Sequence, residues 1–328
     1  MSFKVRGVMI FNGLIFFIIF LLSAPGEDAW ATHASLISGY GYSGPITTVA
    51  ATTLQRHQGV FGLQIEFLKS DRFSERELKE FARRDEEVHN IDYLNKFSAG
   101  ISYGITDSTS IHASIPYVYR NNIQESEPPD EIHDHGDSKG LGDMAIYFHH
   151  RFIKTDSLNL ESSLLFGLKI PTGKTSERDR EGKRFEAEFQ PGTGSWDPSF
   201  GIAATKRAGS LSLDANLLYT LVTEGTQDTD LGDMFNYNLS VSHRSMKKPI
   251  VTDLIIEANG IWIQKEKVHG VKDENSGGNI IFLSPGIRLT FRDSLVTYFS
   301  FGFPFLQDLE GEQNDADYRI VFGIDISL

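Results

Sequence analysis

The sequence predicts an all-β fold: a transmembrane, antiparallel, up-and-down β-barrel of about 12 strands, preceded by a cleaved signal peptide. Three observations carry that expectation. Apolar and polar residues alternate with a period of two through twelve segments, most of them 10 to 14 residues long. A tilted strand needs about 9–11 residues to cross a bilayer, whereas strands of soluble proteins are usually about half the length seen here. The connections alternate between short and long, as they do when tight turns gather on one rim of a membrane barrel and long loops on the other. The chain also opens with an export signal.

That signal is read from Lys4 and Arg6, the apolar run "VMIFNGLIFFIIFLL" (8–22), and "SAPGEDAWA" with small residues at Ala29 and Ala31. A basic start, a short apolar stretch and an A-x-A site make residues 1–31 a signal peptide cut after Ala31. The run is too short for a spanning helix, which needs about 20 apolar residues. Residues 32–59 are small, Gly-rich and weakly periodic. They read equally as a periplasmic lead-in or as a plug entering the barrel.

The barrel itself is expected over 60–328. Its strands are expected near 60–69, 94–105, 109–120, 141–153, 157–170, 194–205, 210–222, 233–244, 253–264, 279–291, 295–306 and 317–328. The alternation is clean in "SLNLESSLLFGLKI", where Leu158, Leu160, Leu164, Phe166, Leu168 and Ile170 oppose Asn159, Glu161, Ser163 and Lys169. It is equally clean in "MFNYNLSVSHR" (234–244) and in the closing "DYRIVFGIDISL" (317–328). Successive strand side chains point to opposite faces, so each segment has one greasy and one wet face. Backbone groups in lipid must all be paired, so the last strand is expected to seal against residues 60–69. A terminal strand with a large apolar last residue, Leu328, also resembles the signal read by the barrel assembly machinery. Short connections fall at 106–108, 154–156, 206–209, 245–252 and 292–294, and long ones at 70–93, 121–140, 171–193, 223–232, 265–278 and 307–316. An even strand count puts both termini on the short-turn, periplasmic rim. A soluble two-sheet sandwich is the rival, and strand length, strand number, leader and loop asymmetry disfavour it together.

Composition narrows the function. The chain has no cysteine, which excludes disulfide scaffolds, thiolate catalysis and thiolate metal sites. Its formal charge is −13, and the leader removes two residues of each sign, so no nucleic acid partner is expected. The expected partners are outer-membrane lipid, the assembly machinery and a small-molecule solute; no cofactor is expected.

Several strings resemble a family of bacterial outer-membrane barrels grouped under the meta-pathway of phenol degradation. They are "GPITTVAATTL" (44–54), "YGITDSTSIHASIPYVYR" (103–120), "KGLGDMAIYFHHRF" (139–152), "GLKIPTGKT" (167–175), "GTGSWDPSFGIAATKR" (192–207) and "SPGIRLTF" (284–291). They cover most of the mature chain in order, although none is diagnostic alone. "LQRHQG" (54–59) departs from the pattern, in which a proline soon follows the leucine. The resemblance implies an outer-membrane channel for small organic compounds.

By alternation the lumen carries Glu66, Lys96, Asp143, Arg151, Glu161, Lys169, Asp197, Asp214, Arg244, Glu257, Arg288, Arg319 and Asp325. One reading is a mixed-charge pore wall that orders water and filters solutes. The other is that opposite charges pair across strands and fill a narrow barrel. Barrels of about eight strands are filled and those of about 16 leave an open channel, so twelve suggests a narrow or partly plugged passage, gated by loops 121–140 and 171–193. "PPDEIHDHGDS" (128–138) gathers His133, His135 and four carboxylates. An H-x-H pair can bind zinc-like ions, but a solvated loop is the preferred reading and no metal site is expected. As an alternative to transport, a barrel-anchored lipid hydrolase would need a nucleophile beside a base. Ser162 and His150 are the candidates, both expected outward on neighbouring strands, without a G-x-S-x-G motif. A surface adhesin is the other alternative.

Overall fold

A computed structural model describes residues 45–328 except Lys248 and Asp293. The expected signal peptide (1–31) and residues 32–44 lie outside the described residues. Twelve staves form one sheet: β1 (Gly59–Asp71), β2 (Tyr93–Thr106), β3 (Thr109–Glu127), β4 in two parts (Glu131–Leu141 and Met144–Thr155), β5 (Leu160–Ile170) and β6 (Asp197–Ala208), then β7 (Leu211–Thr220), β8 (Met234–Lys247), β9 (Ile250–Ile263), β10 (Gly278–Phe291), β11 (Leu295–Leu309) and β12 (Asp315–Ser327). Each pairs antiparallel with its neighbours in sequence, and β1 pairs with β12 to close the cylinder. At the seam Val60 opposes Ser327, Phe67 opposes Ile320, and the Leu328 amide donates to the Gly59 carbonyl at 2.9 Å. Closure pairs the first and last staves with each other, which is what a sheet in hydrocarbon requires.

The two faces separate as the period of two dictates. Phe61, Leu63, Ile65, Phe322, Ile324 and Ile326 are exposed on the outside, while Gln64, Glu66, Arg319 and Asp325 are buried inside. A soluble fold would invert this, so the outer rows form a lipid-facing belt.

The stretch 121–140 departs from expectation. It is not a loop: β3 runs on to Glu127 and returns as the outer part of β4, so "EIHDHGDSKGL" is strand. Register shifts flank Ile123 in this hairpin, and Gly136 sits at φ +83°. Those bulges bend the ladder over the mouth and bury Ile123 against Ile91, Phe185 and Phe189. That burial stabilises a segment whose charge had suggested solvent. The two parts of β4 break at Gly142–Asp143, where the Asp143 carboxylate instead accepts the amides of Gly173 (2.8 Å) and Thr193 (2.7 Å). The 70–93 connection carries α1 (Glu75–Arg83), started by a Ser74–Glu77 capping box and buried on Leu78 and Phe81. On the opposite rim "SMKKPIVT" tightens to a turn around Pro249, because β8 and β9 extend into it.

Candidate functional site

The barrel interior is where the expected residues converge. Ten of the thirteen are buried, and Arg151, Lys169 and Arg244 are partly so. They meet mostly as ion pairs across adjacent staves. Lys96 reaches Glu66 at 2.7 Å, and Arg319 lies 3.8 Å from the same carboxylate while donating to Asn259 at 2.9 Å. Lys169 bridges Asp197 and Asp143, with Asp143 at 3.8 Å. Arg151 and Arg207 share Glu161 at 2.7 and 2.6 Å. Arg244 forks onto Asp253 at 2.6 and 2.8 Å. Charge-assisted bonds of this kind are strong and directional. Neither Asp325 oxygen has a hydrogen-bond partner among the described residues. Sequence reading missed Arg120, Arg207 and Asp253. Asp253 shares its parity with Glu257, and Arg207 shares that of Asp197 but lies past the strand end expected at 205; Arg120 is on a segment with no residue assigned inward.

What alternation could not reveal is a strap. Residues 45–54 run inside the barrel, with Ile46, Thr48 and Ala51 fully buried. A segment without a strand partner must still satisfy its amides, and the wall supplies the acceptors. Glu257 accepts from the amides of Ile46 (3.2 Å), Thr47 (3.0 Å) and Thr48 (2.9 Å). Asn216 accepts from Val49 at 2.7 Å, Thr205 from Ala51 at 2.8 Å, and Ser110 from Leu54 at 2.9 Å. Asp214 accepts from the Thr205 hydroxyl at 2.7 Å and so orients it. Arg288 donates to the Pro45 carbonyl. Apolar patches on the inner wall complete the seat: Ile46 packs with Ile255, Val296 and Tyr298, and Val49 and Ala51 with Tyr147, Leu165 and Leu218. The strap leaves past Gly104, where a Cβ would lie 1.9 Å from the Gln55 carbonyl oxygen, so only glycine allows the approach.

Toward the long-loop end the interior changes character. Leu68, Met234, Ile261, Ile263, Ile280 and Phe282 form a buried apolar cluster on one side of the inner wall, from β8 round to β1. Above it, loop 171–193 folds inward: Phe185 and Phe189 are buried, and Arg120 donates to the carbonyls of Phe189 (3.4 Å) and Gln190 (3.3 Å). A cavity of about 420 Å³ lies among the loops, lined by His89, Glu186, Glu188, Glu266 and Asp273. Burial opposes charge on His89, yet Glu188, 2.9 Å from Nδ1, together with Glu186 and Glu125 pushes the ring up to about 10. Burial, and then the charges of Glu188 and Asp273, hold Glu266 well above the usual carboxylate range.

With that geometry in place, residues 90–309 match the model of the family described as "Putative MetA-pathway of phenol degradation". The chain belongs to this family. No curated protein matches it. Among solved structures, the COG4313 outer membrane channel from Pseudomonas putida F1 is 11% identical with a TM-score of 0.58, over 85% of this chain and 98% of that one. The β domain of the Bordetella autotransporter BrkA is 10% identical with a TM-score of 0.47, over 83% and 100%. The CymD monoaromatic hydrocarbon channel is 9% identical with a TM-score of 0.40, over 84% and 88%. At such identity the first likeness establishes the fold, that of an outer-membrane β-barrel.

In this phenol-degradation family barrel, Ser162 and His150 are not assembled as nucleophile and base. His150 Nδ1 pairs with the Thr109 hydroxyl at 3.0 Å and stands opposite Leu164, whereas Ser162 stands opposite Ile153.

Proposed function

We propose that this family member is an outer-membrane channel for passive uptake or efflux of small hydrophobic or aromatic solutes. The observation that carries the proposal is the zoned interior: an apolar cluster on the inner wall toward the loop cavity, followed by a charged, hydrogen-bonded mid-section crossed by the strap. The cluster offers an aromatic solute a desolvated binding surface. The thirteen charged residues would line the rest of the path and, being largely paired, would present little net field. Membership of a phenol-degradation family and the fold shared with an outer membrane channel support the same reading. The chain carries no catalytic step in this proposal; His150 Nδ1 is engaged by the Thr109 hydroxyl at 3.0 Å. Lipid would cover the outer belt, the assembly machinery would read β12, and both termini would lie on the periplasmic rim.

The strap would set the narrowest section, since its attachments are hydrogen bonds and small apolar contacts. Purified barrels in planar bilayers should show small, discrete conductance steps, and deleting residues 45–54 should enlarge them severalfold. Replacing Phe282 by Asp should slow entry of a monoaromatic probe into vesicles. If both the intact and the strap-deleted barrels leave bilayers silent and vesicles impermeable, diffusion through the lumen is refuted.

A further inference from the structure

The outer part of β4 places two imidazoles side by side. His135 is the extra residue of a bulge, with no partner on β3, and its ring centroid lies 4.4 Å from that of His133. Asp179, its side chain almost fully buried, comes from loop 171–193 to meet them. One ligand atom from each of His133, His135 and Asp179 lies within 4.8 Å of the others.

The details favour a metal over a simple ion-pair cluster. Asp179 Oδ1 is fixed by the amides of Glu181 (2.9 Å) and Lys183 (2.8 Å), which leaves Oδ2 facing His135 Nδ1 at 3.3 Å. Two ligands of a tetrahedral zinc ion stand about 3.4 Å apart, given bonds of about 2.0–2.1 Å, so this edge is already set. The other nitrogen of His135, Nε2, meets Glu125 at 2.8 Å. A carboxylate holding the far nitrogen is how metal-ligating histidines are oriented. His133 Nε2 is buried and has no hydrogen-bond partner among the described residues; the Glu181 carboxylate is 3.8 Å away. The neighbouring set of His89, Glu125 and Glu186 has one imidazole only, and Glu188 already occupies its Nδ1.

We infer that His133, His135 and Asp179 bind a divalent transition-metal ion of the zinc class, oriented by Glu125, which pins loop 171–193 to the β3–β4 hairpin at the barrel mouth. Two imidazoles and one carboxylate suit zinc, nickel or copper better than the all-oxygen sites preferred by calcium or magnesium. The ion would thereby hold Phe185 and Phe189 in place against Ile91 and Ile123.

The test uses the full chain, purified in detergent and stripped by chelator. Zinc titrated calorimetrically should bind at one equivalent per barrel, and cobalt should give the visible absorption of a tetrahedral site. His133→Asn and Asp179→Asn should each weaken zinc by at least about tenfold, as should Glu125→Gln acting through His135. His269→Asn, on an exposed turn, should leave affinity unchanged. Zinc should also slow tryptic cleavage at Arg178 and Lys183 in the native chain but not in His133→Asn. Retained heat-modifiable migration on gels shows that each variant is folded. No zinc uptake, or affinity equal in native, His133→Asn and Asp179→Asn chains, overturns the inference. Either result is independent of conductance, so the channel proposal stands or falls separately.

Discussion

Glu257 illustrates how much one buried side chain can hold. It is fully buried and its carboxylate receives three consecutive amides of the strap. Each buried donor left without an acceptor costs about 1–3 kcal/mol, so Glu257→Ala should free the strap's first turn without opening the barrel. Single-channel recordings should then show larger or flickering openings, and unchanged traces would mean that this anchor does not limit flow. Lys96 tests the wall instead. Breaking a buried ion pair costs roughly 3–5 kcal/mol, and Glu66 keeps Arg319 at 3.8 Å, so Lys96→Ala should fall at the low end of that range. The loss should appear as a lower temperature for the gel-mobility transition, and an unchanged transition would mean that this pair contributes little. At this scale the sequence was informative, because parity along a strand decides inside from outside. It was silent on Arg207 and Asp253 only because those rows were not read to their ends.

Elements were legible in proportion to their regularity. The twelve staves follow from alternation and from the short turns between them, and their bounds move by a few residues. The β3–β4 hairpin was misread because "PPDEIHDHGDS" is charged on both faces. Its strand character comes from the cover that Phe185 and Phe189 lend to Ile123, a contact between segments far apart in sequence. Loop 171–193 has a pH dependence of its own. His89 binds Glu188 as an imidazolium, and its folded pKa lies above the ordinary value. The contribution is therefore complete below about 6.5, the ordinary value, and is lost progressively as pH rises from there through about 10. Carbon-labelled histidine spectra should show one ring titrating near 10, and Glu188→Gln should lower that midpoint; the absence of any signal that titrates well above 6.5 and is lost in His89→Asn would contradict the geometry.

For the whole molecule the decisive property is which surface meets hydrocarbon. Phe322 and Ile324 are 41% and 37% exposed on the outer face, while Arg319 and Asp325 are at 1% and 2%. Spin labels at the first two positions, in reconstituted bilayers, should be relaxed by oxygen and protected from a water-soluble nickel chelate. Labels reporting bulk water there would rule out the membrane barrel. This architecture was evident from strand length, even count and export signal taken together, since each alone fits a soluble protein. The strap was not evident, because a segment held through its main chain needs no pattern in its side chains.

That mode of attachment shapes how the interior can change. Positions 46–49, 51 and 54 must keep an N–H, so proline is barred from them, whereas exchange of one small apolar side chain for another keeps both the amide bonds and the packing on the inner wall. Variation there could reshape the bore while every anchor on the wall stays as it is. Selectivity could drift by substitution in ten residues, without a single alteration to the twelve staves that must still insert and seal.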